Sequence, residues 1–189
     1  MAFESFDKAQ KIKPNRNARM GIVHAQITDK EILGKFKEKN VLAYIEPICM
    51  ASDLHIAEDR VGAERIKTSY NYRTLYDMGV MTPMSSDCPV DSLNPIDSMY
   101  VGVNRKDYSG NPKEGWMTNE CLTIEQMIEG FTIRSAYASF EEKIKGSIEE
   151  GKLADFIILS GDITTVNAKK IRDIKVERTY VGGKLVYER

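Results

Sequence analysis

Apolar and polar positions alternate along this chain in blocks that read as strand, helix, strand. Residues 21–27 (GIVHAQI) are short, largely apolar and β-branched, and the Thr28 to Glu31 spacing that follows is that of a capping box opening a helix to about residue 39. Residues 41–48 (VLAYIEPI) form a second apolar run stopped by Pro47, and the pattern over residues 57–79 predicts a helix of about five turns closed by Gly79. Residues 80–87 (VMTPMSSD) give a third strand, irregular at Pro83, before a helix that starts at Pro95. The order β-α-β-α-β-α predicts parallel strands joined by right-handed crossovers.

After a loop rich in Gly, Asn, Lys and Pro (residues 104–116), a second capping box at Thr123–Gln126 opens a helix to about residue 140. Ile124, Met127, Ile128, Phe131 and Ala138 share one face of it and are read as core packing. The grammar then changes. A turn at Glu150-Gly151 precedes a buried strand, and residues 176–188 form a hairpin around Gly182-Gly183. The expected organisation is a segment over residues 1–145 and a small β module over residues 146–189.

Composition narrows the partners. With 189 residues, 42% hydrophobic positions and a net charge of -1, the chain can bury a sizeable core but offers no basic block for nucleic acid or an anionic membrane. No apolar run reaches the roughly 18 residues of a spanning helix, and the first residues lack the apolar segment of a signal peptide, so the cytoplasm is the expected location. Cys49, Cys88 and Cys121 are odd in number and widely spaced, which fits free thiols. A small-molecule substrate or a protein partner is expected.

In parallel sheets chemistry gathers at the carboxyl ends of strands. His24 ends the first, Glu46 and Cys49 flank the end of the second with Asp53 and His55 just beyond, and Asp87 ends the third. Position alone leaves two readings open for His24, a satisfied interior histidine or a ligand, and two for Asp87, a turn residue before a loop proline or a site residue. His55, in a polar stretch, reads as a surface residue; Tyr70, Tyr72 and Tyr76 read as packing.

Several segments, in order, carry a resemblance. Ile22-Val23-His24-Ala25-Gln26 is similar to I-E-H-x-Q, Gly62 to Arg65 with Tyr70 and Leu75 to a G-x-x-R...Y...L helix, and Ser86-Asp87-Cys88-Pro89-Val90 to S-D-x-P-V. Residues 122–126, 146–155 and 179–184 are similar to L-T-x-E-x-A, G-S-I-E-x-G-K-x-A-D and T-x-V-x-G-K. On these motifs the chain resembles the C-terminal part of amidohydrolase family three, the branch that contains N-substituted formamide deformylase.

That resemblance implies an α/β fold: the C-terminal portion of a TIM barrel, about three β-α units, plus the C-terminal strands of a small β-sandwich. It implies a divalent metal, zinc in the complete fold, with His24 and Asp87 as ligands and Asp87 as the base that takes the proton from the attacking water. The implied activity is hydrolysis of C–N bonds of amide type outside peptides.

The chain also departs from the pattern. A full barrel has eight strands and about 250 residues, and the family's H-x-H, lysine and further histidine have no counterpart in a sequence with 2 histidines. The glutamate before the family histidine is Val23, and the family's Q-P-x-H reads Glu46-Pro47-Ile48-Cys49. Cys49 is read as a buried inert thiol in preference to a soft ligand. A single chain is therefore expected to be inactive, and its exposed first strand predicts a homo-oligomer or a complementary N-terminal half as partner. The competing expectation is a non-catalytic oligomeric module derived from a half-barrel.

Overall fold

A computed structural model describes all residues from Met1 to Arg189. Helix α1 (Ala2–Ile12) lies where the pattern predicts no element, and its Phe3 is buried edge-on against Phe36, with ring centroids 5.3 Å apart. Strand β1 (Gly21–Ile22), helix α2 (Lys30–Glu38) and strand β2 (Leu42–Ala43) follow. The cap of α2 is a correction to the expected Thr28: Asp29 accepts the Ile32 N–H at 2.7 Å, because Thr28 is buried and bonded instead to the Thr68 carbonyl.

β1 and β2 pair in parallel, with Gly21 opposite Leu42, and the Leu42 and Tyr44 N–H groups donate to the Met20 and Ile22 carbonyls at 2.8 and 2.9 Å. On the other side of β2, the Ala43 and Ile45 N–H groups donate to the Met81 and Pro83 carbonyls at 3.0 and 3.1 Å, which lays residues 81–85 alongside as a third parallel segment, bridged at Ile45 and Met84. All three segments are shorter than the apolar runs that encode them. The five-turn helix expected over residues 57–79 is not continuous either. After a short helix α3 (Met50–Asp53), three short helices, α4 (Ala57–Val61), α5 (Ala63–Ile66) and α6 (Tyr72–Asp77), replace it, broken where Gly62 and Tyr70 take positive φ.

Helix α7 (Pro95–Asn104) starts on a cap from Asn94, which accepts the Ile96 N–H at 3.1 Å, with Pro95 in the first turn. The capping box at Thr123 and Gln126 forms, with both reciprocal bonds present. It opens α8 (Ile124–Glu129), which passes through a π-helical turn at Gly130–Arg134 into α9 (Ser135–Ala138). This stretch covers the outer edge of the third segment. Met84 N–H donates to the Gly130 carbonyl at 3.1 Å, the Ser135 hydroxyl donates to the Met84 carbonyl at 3.3 Å, and Arg134 donates to the Val80 carbonyl at 3.1 Å.

Strands β3 (Phe156–Leu159), β4 (Val176–Val181) and β5 (Lys184–Glu188) form an antiparallel sheet. The β4–β5 turn is Gly182-Gly183 at φ 56 and 75, the left-handed pair that a two-residue hairpin needs. The expectation of a buried strand at 156–159 fails: Ile157 and Ile158 are 47% and 41% exposed, and every residue of β5 is exposed. One cluster of 24 buried apolar residues nevertheless includes Ile163, Ile171 and Ile174 together with Ala43, Ile45 and Leu75. No helix is long and apolar enough to cross a membrane.

Candidate active site

His24, Glu46 and Asp87 come from the carboxyl ends of the three parallel segments and meet there. Left-handed backbone at His24 (φ 71) and Ala25 (φ 46) turns the chain sharply off β1, and Asp87 (φ 54) does the same after the third segment. Non-glycine residues reach this region at a cost that the surroundings must offset, and such residues gather at functional sites. The consequence is a short row of polar groups. His24 Nδ1 lies 3.0 Å from Glu46 Oε2, and His24 Nε2 lies 4.0 Å from Asp87 Oδ2. The Ser85 hydroxyl donates to Glu46 Oε1 at 3.1 Å.

Exposure divides the row by role. His24 and Asp87 side chains are 46% and 42% exposed, whereas Glu46 is 2% exposed. Burial raises the Glu46 carboxyl above its usual range, opposed by the Ser85 and His24 hydrogen bonds. Behind the row, Tyr70 and Gln26 both donate to Asp53 Oδ2, at 3.0 and 3.2 Å, and the Tyr70 N–H donates to the Gln26 carbonyl at 2.6 Å. Burial and the Asp53 carboxylate push the Tyr70 phenol up, so it stays a donor. Tyr70 is 4% exposed and belongs to the core, as expected of a packing residue, with its polar groups satisfied inside it.

The other sequence candidates lie outside the row. Cys49 is buried, its thiol pushed up to about 12 by desolvation and the neighbouring Asp91. That is an inert thiol. His55 is half-exposed and bonds Asp107 Oδ2 at 3.0 Å, away from His24. Sequence reasoning placed Glu46 at a strand end but gave it no role, and it did not single out Ser85. The signal for Glu46 was available, since an acid at the mouth end of a buried strand needs a partner.

The donor chemistry of His24 and Asp87 fits a divalent ion in part. Imidazole nitrogen and carboxylate oxygen are both zinc donors, but two of them about 2 Å from a tetrahedral ion sit about 3.3 Å apart, closer than the 4.0 Å between Nε2 and Oδ2. No group of three or more His, Cys, Asp and Glu side chains comes together that could hold a metal alone.

Comparison with known proteins places the chain in a family. Residues 1–187 match the family described as "Amidohydrolase family". The putative amidohydrolase YtcJ of Bacillus subtilis (strain 168) is 30% identical over 190 residues, covering 100% of this chain and 36% of that protein. N-substituted formamide deformylase of Arthrobacter pascens is 35% identical over 117 residues, covering 62% of this chain and 21% of that protein. An uncharacterized metal-dependent hydrolase from Pyrococcus horikoshii OT3 superposes with a TM-score of 0.71 at 26% identity, over 87% of this chain and 33% of that one. The chain thus spans about a third or less of the length of these relatives. It belongs to the amidohydrolase family.

Proposed function

We propose that this chain is the C-terminal segment of a metal-dependent hydrolase acting on C–N bonds of amide type outside peptides, incomplete and inactive as a single chain. The observation that carries the reading is the meeting of His24 and Asp87, 4.0 Å apart, at the carboxyl ends of parallel segments. Residues 1–145 then correspond to about three β-α units of a TIM barrel, and residues 146–189 to strands of a small β-sandwich.

Bound there, a zinc ion would supply an acidified water and a Lewis acid for the scissile carbonyl. The chain's own groups do the rest. His24 offers Nε2 as a ligand while Nδ1 is held by Glu46. Asp87 would help hold the metal, and its carboxylate would take the proton of the attacking water and pass it to the leaving nitrogen. A catalytic zinc normally has three protein ligands, so the remaining ligands lie outside these 189 residues.

Exposed apolar surface supports the need for that partner. Val23 and Ile27 beside β1 are 57% and 48% exposed, and Leu185, Val186 and Tyr187 on β5 are 47%, 59% and 48% exposed. The partner is a second copy of this chain or a complementary N-terminal half, and a monodisperse monomer in sedimentation at micromolar concentration excludes the first. Metal binding tests the site. Zinc titrated into the parental chain is expected to bind, with each of His24→Ala and Asp87→Ala weakening it at least about tenfold. A chain that takes up no zinc, with stability unchanged in both variants, overturns the enzyme reading in favour of a non-catalytic oligomeric module.

A further inference from the structure

The buried acid Glu46 stands between the two outer segments of the sheet and touches both. Its Oε2 lies 3.0 Å from His24 Nδ1, and its Oε1 accepts the Ser85 hydroxyl at 3.1 Å. Ser85 is itself tied to β2, through its N–H to the Ile45 carbonyl at 3.2 Å. Oε1 is therefore oriented from a residue bonded to β2, and the side chain is 2% exposed, so its direction is set by the fold and not by His24. The His24 ring is the opposite case. It is 46% exposed, and its other polar neighbour is Asp87, at 4.0 Å from Nε2. The only hydrogen bond that fixes the ring is the one to Glu46.

We propose that Glu46 is a positioning residue, which holds His24 as the Nδ1–H tautomer and aims the Nε2 lone pair at Asp87. Glu46 already accepts the Ser85 hydroxyl; accepting from His24 in the same way puts the proton of that contact on Nδ1 and leaves the lone pair on Nε2. Glu46 does not join the row as a ligand, because both of its oxygens are engaged inside the protein. A carboxylate behind a metal-binding imidazole fixes its orientation and raises its basicity. The proposal rests on the proposed function only for the use made of Nε2; the tautomer is a property of the chain without metal.

Long-range ¹H–¹⁵N correlation of the labelled, metal-free chain at pH 8 reads the tautomer directly. Only 2 histidines contribute signals, and His55→Gln assigns them. The parental chain is expected to show His24 protonated at Nδ1. Glu46→Leu is expected to move the population to Nε2–H, while Glu46→Gln keeps Nδ1–H because its amide oxygen can accept. A parental His24 protonated at Nε2, or a Glu46→Leu chain that folds and keeps Nδ1–H, overturns the proposal. Where Glu46→Leu fails to fold, the parental and Glu46→Gln spectra decide.

A zinc titration of the same proteins separates this from the metal reading. Glu46→Leu is expected to lower zinc affinity by about 10–100-fold, as losing such an outer partner does. A parental chain that is Nδ1–H yet binds no zinc defeats the metal site and leaves the role of Glu46 standing.

Discussion

Arg105 is the largest fully buried side chain, at 0% exposure, and no carboxylate side chain hydrogen-bonds to it. It sits at the end of α7 in left-handed backbone (φ 49) and turns its guanidinium into the loop that follows. Nε donates to the Trp116 carbonyl at 2.7 Å, and Nη1 is shared between the Tyr70 and Glu120 carbonyls at 3.2 and 3.4 Å. Consider Arg105→Met, which keeps an unbranched apolar stem and removes every donor. Hydrogen bonds to a charged group contribute about 1.5–3 kcal/mol each, and a buried acceptor left without a donor costs about 1–3 kcal/mol. The short bond counts fully and the shared long pair roughly once, a loss of about 3–6 kcal/mol on that principle. Against this stands relief of the buried charge, whose desolvation lowers the Arg105 pKa, and Nη2 finds no partner even in the parental chain. Replacing a buried ion together with its partner is often neutral, but here the carbonyl partners stay behind. The net expectation is about 2–4 kcal/mol of destabilisation. Urea unfolding should show a midpoint lower by about 1–2 M at unchanged slope. The single tryptophan, Trp116, sits 5.1 Å from Tyr70 by ring centroid and reports on the loop by its fluorescence. A midpoint within about 0.2 M of the parental value, with unshifted Trp116 emission, would refute the claim that these carbonyls depend on Arg105.

Two further substitutions probe the helical edge. Gly146→Ala forces a Cβ into backbone at φ 96, 2.7 Å from Ala136 Cβ and 3.0 Å from Ile133 Cα; the expected cost is about 2–4 kcal/mol in a thermal melt, and an unchanged melting temperature would show that α9 shifts freely. Arg19 holds Glu142 in a two-point pair at 2.7 and 2.8 Å, stacked over the Tyr137 and Phe140 rings at 3.7 and 4.2 Å, which pulls the Glu142 carboxyl down to about 2. A depressed folded-state pKa gives stability that is fully present above the unfolded value of about 4.3 and lost as pH falls toward the folded one. The melting-temperature gap between the parental chain and Glu142→Gln should therefore be constant at pH 5–7, shrink from about pH 4 and vanish near pH 2; a gap that survives at pH 2 contradicts the pairing.

Where structure is made locally, the sequence pattern reads it well. Asn94-Pro95, Thr123 with Gln126, and Gly182-Gly183 each act through bonds within a few residues, and each forms as its residue types dictate. Where a tertiary contact competes, the pattern misleads. Residues 57–79 keep a helical rhythm, but Tyr70 leaves the helix to donate to the Gln26 carbonyl and to Asp53, and the chain breaks around it. Thr28 and Asp29 are both good caps; which one acts is decided by Thr68, forty residues away. Helix α1 has too little apolar surface to announce itself until Phe36 gives Phe3 a place to bury. The pairing of His24 with Asp87 follows from parallel register across three segments, information that no local window contains, and only the family resemblance supplied it. The role of Glu46 was hidden for a different reason. Measured against the family pattern it looked like the loss of a glutamine, and its meaning emerges only once Ser85 and His24 stand on either side of it.

The two edges of the parallel sheet bear on what the chain lacks. The edge at residues 80–84 is satisfied from within, by Gly130, Arg134 and Ser135, while β1 pairs with β2 alone. Any polypeptide that adds backbone hydrogen bonds to this sheet meets fewer obstacles at β1, the strand that leads into His24. The row of His24, Glu46 and Asp87 does not wait for such a partner. Left-handed turns at positions 24 and 87 and the clamp of Glu46 between Ser85 and His24 are all made by this chain's own residues. On the proposed reading, shape is the part of the site already present and donor count the part missing, since no third ligand-type side chain joins the pair facing the mouth. That division is why imidazole tautomer and metal affinity are separate observables here: the first belongs to a finished local structure, the second to a ligand set that a single chain leaves open.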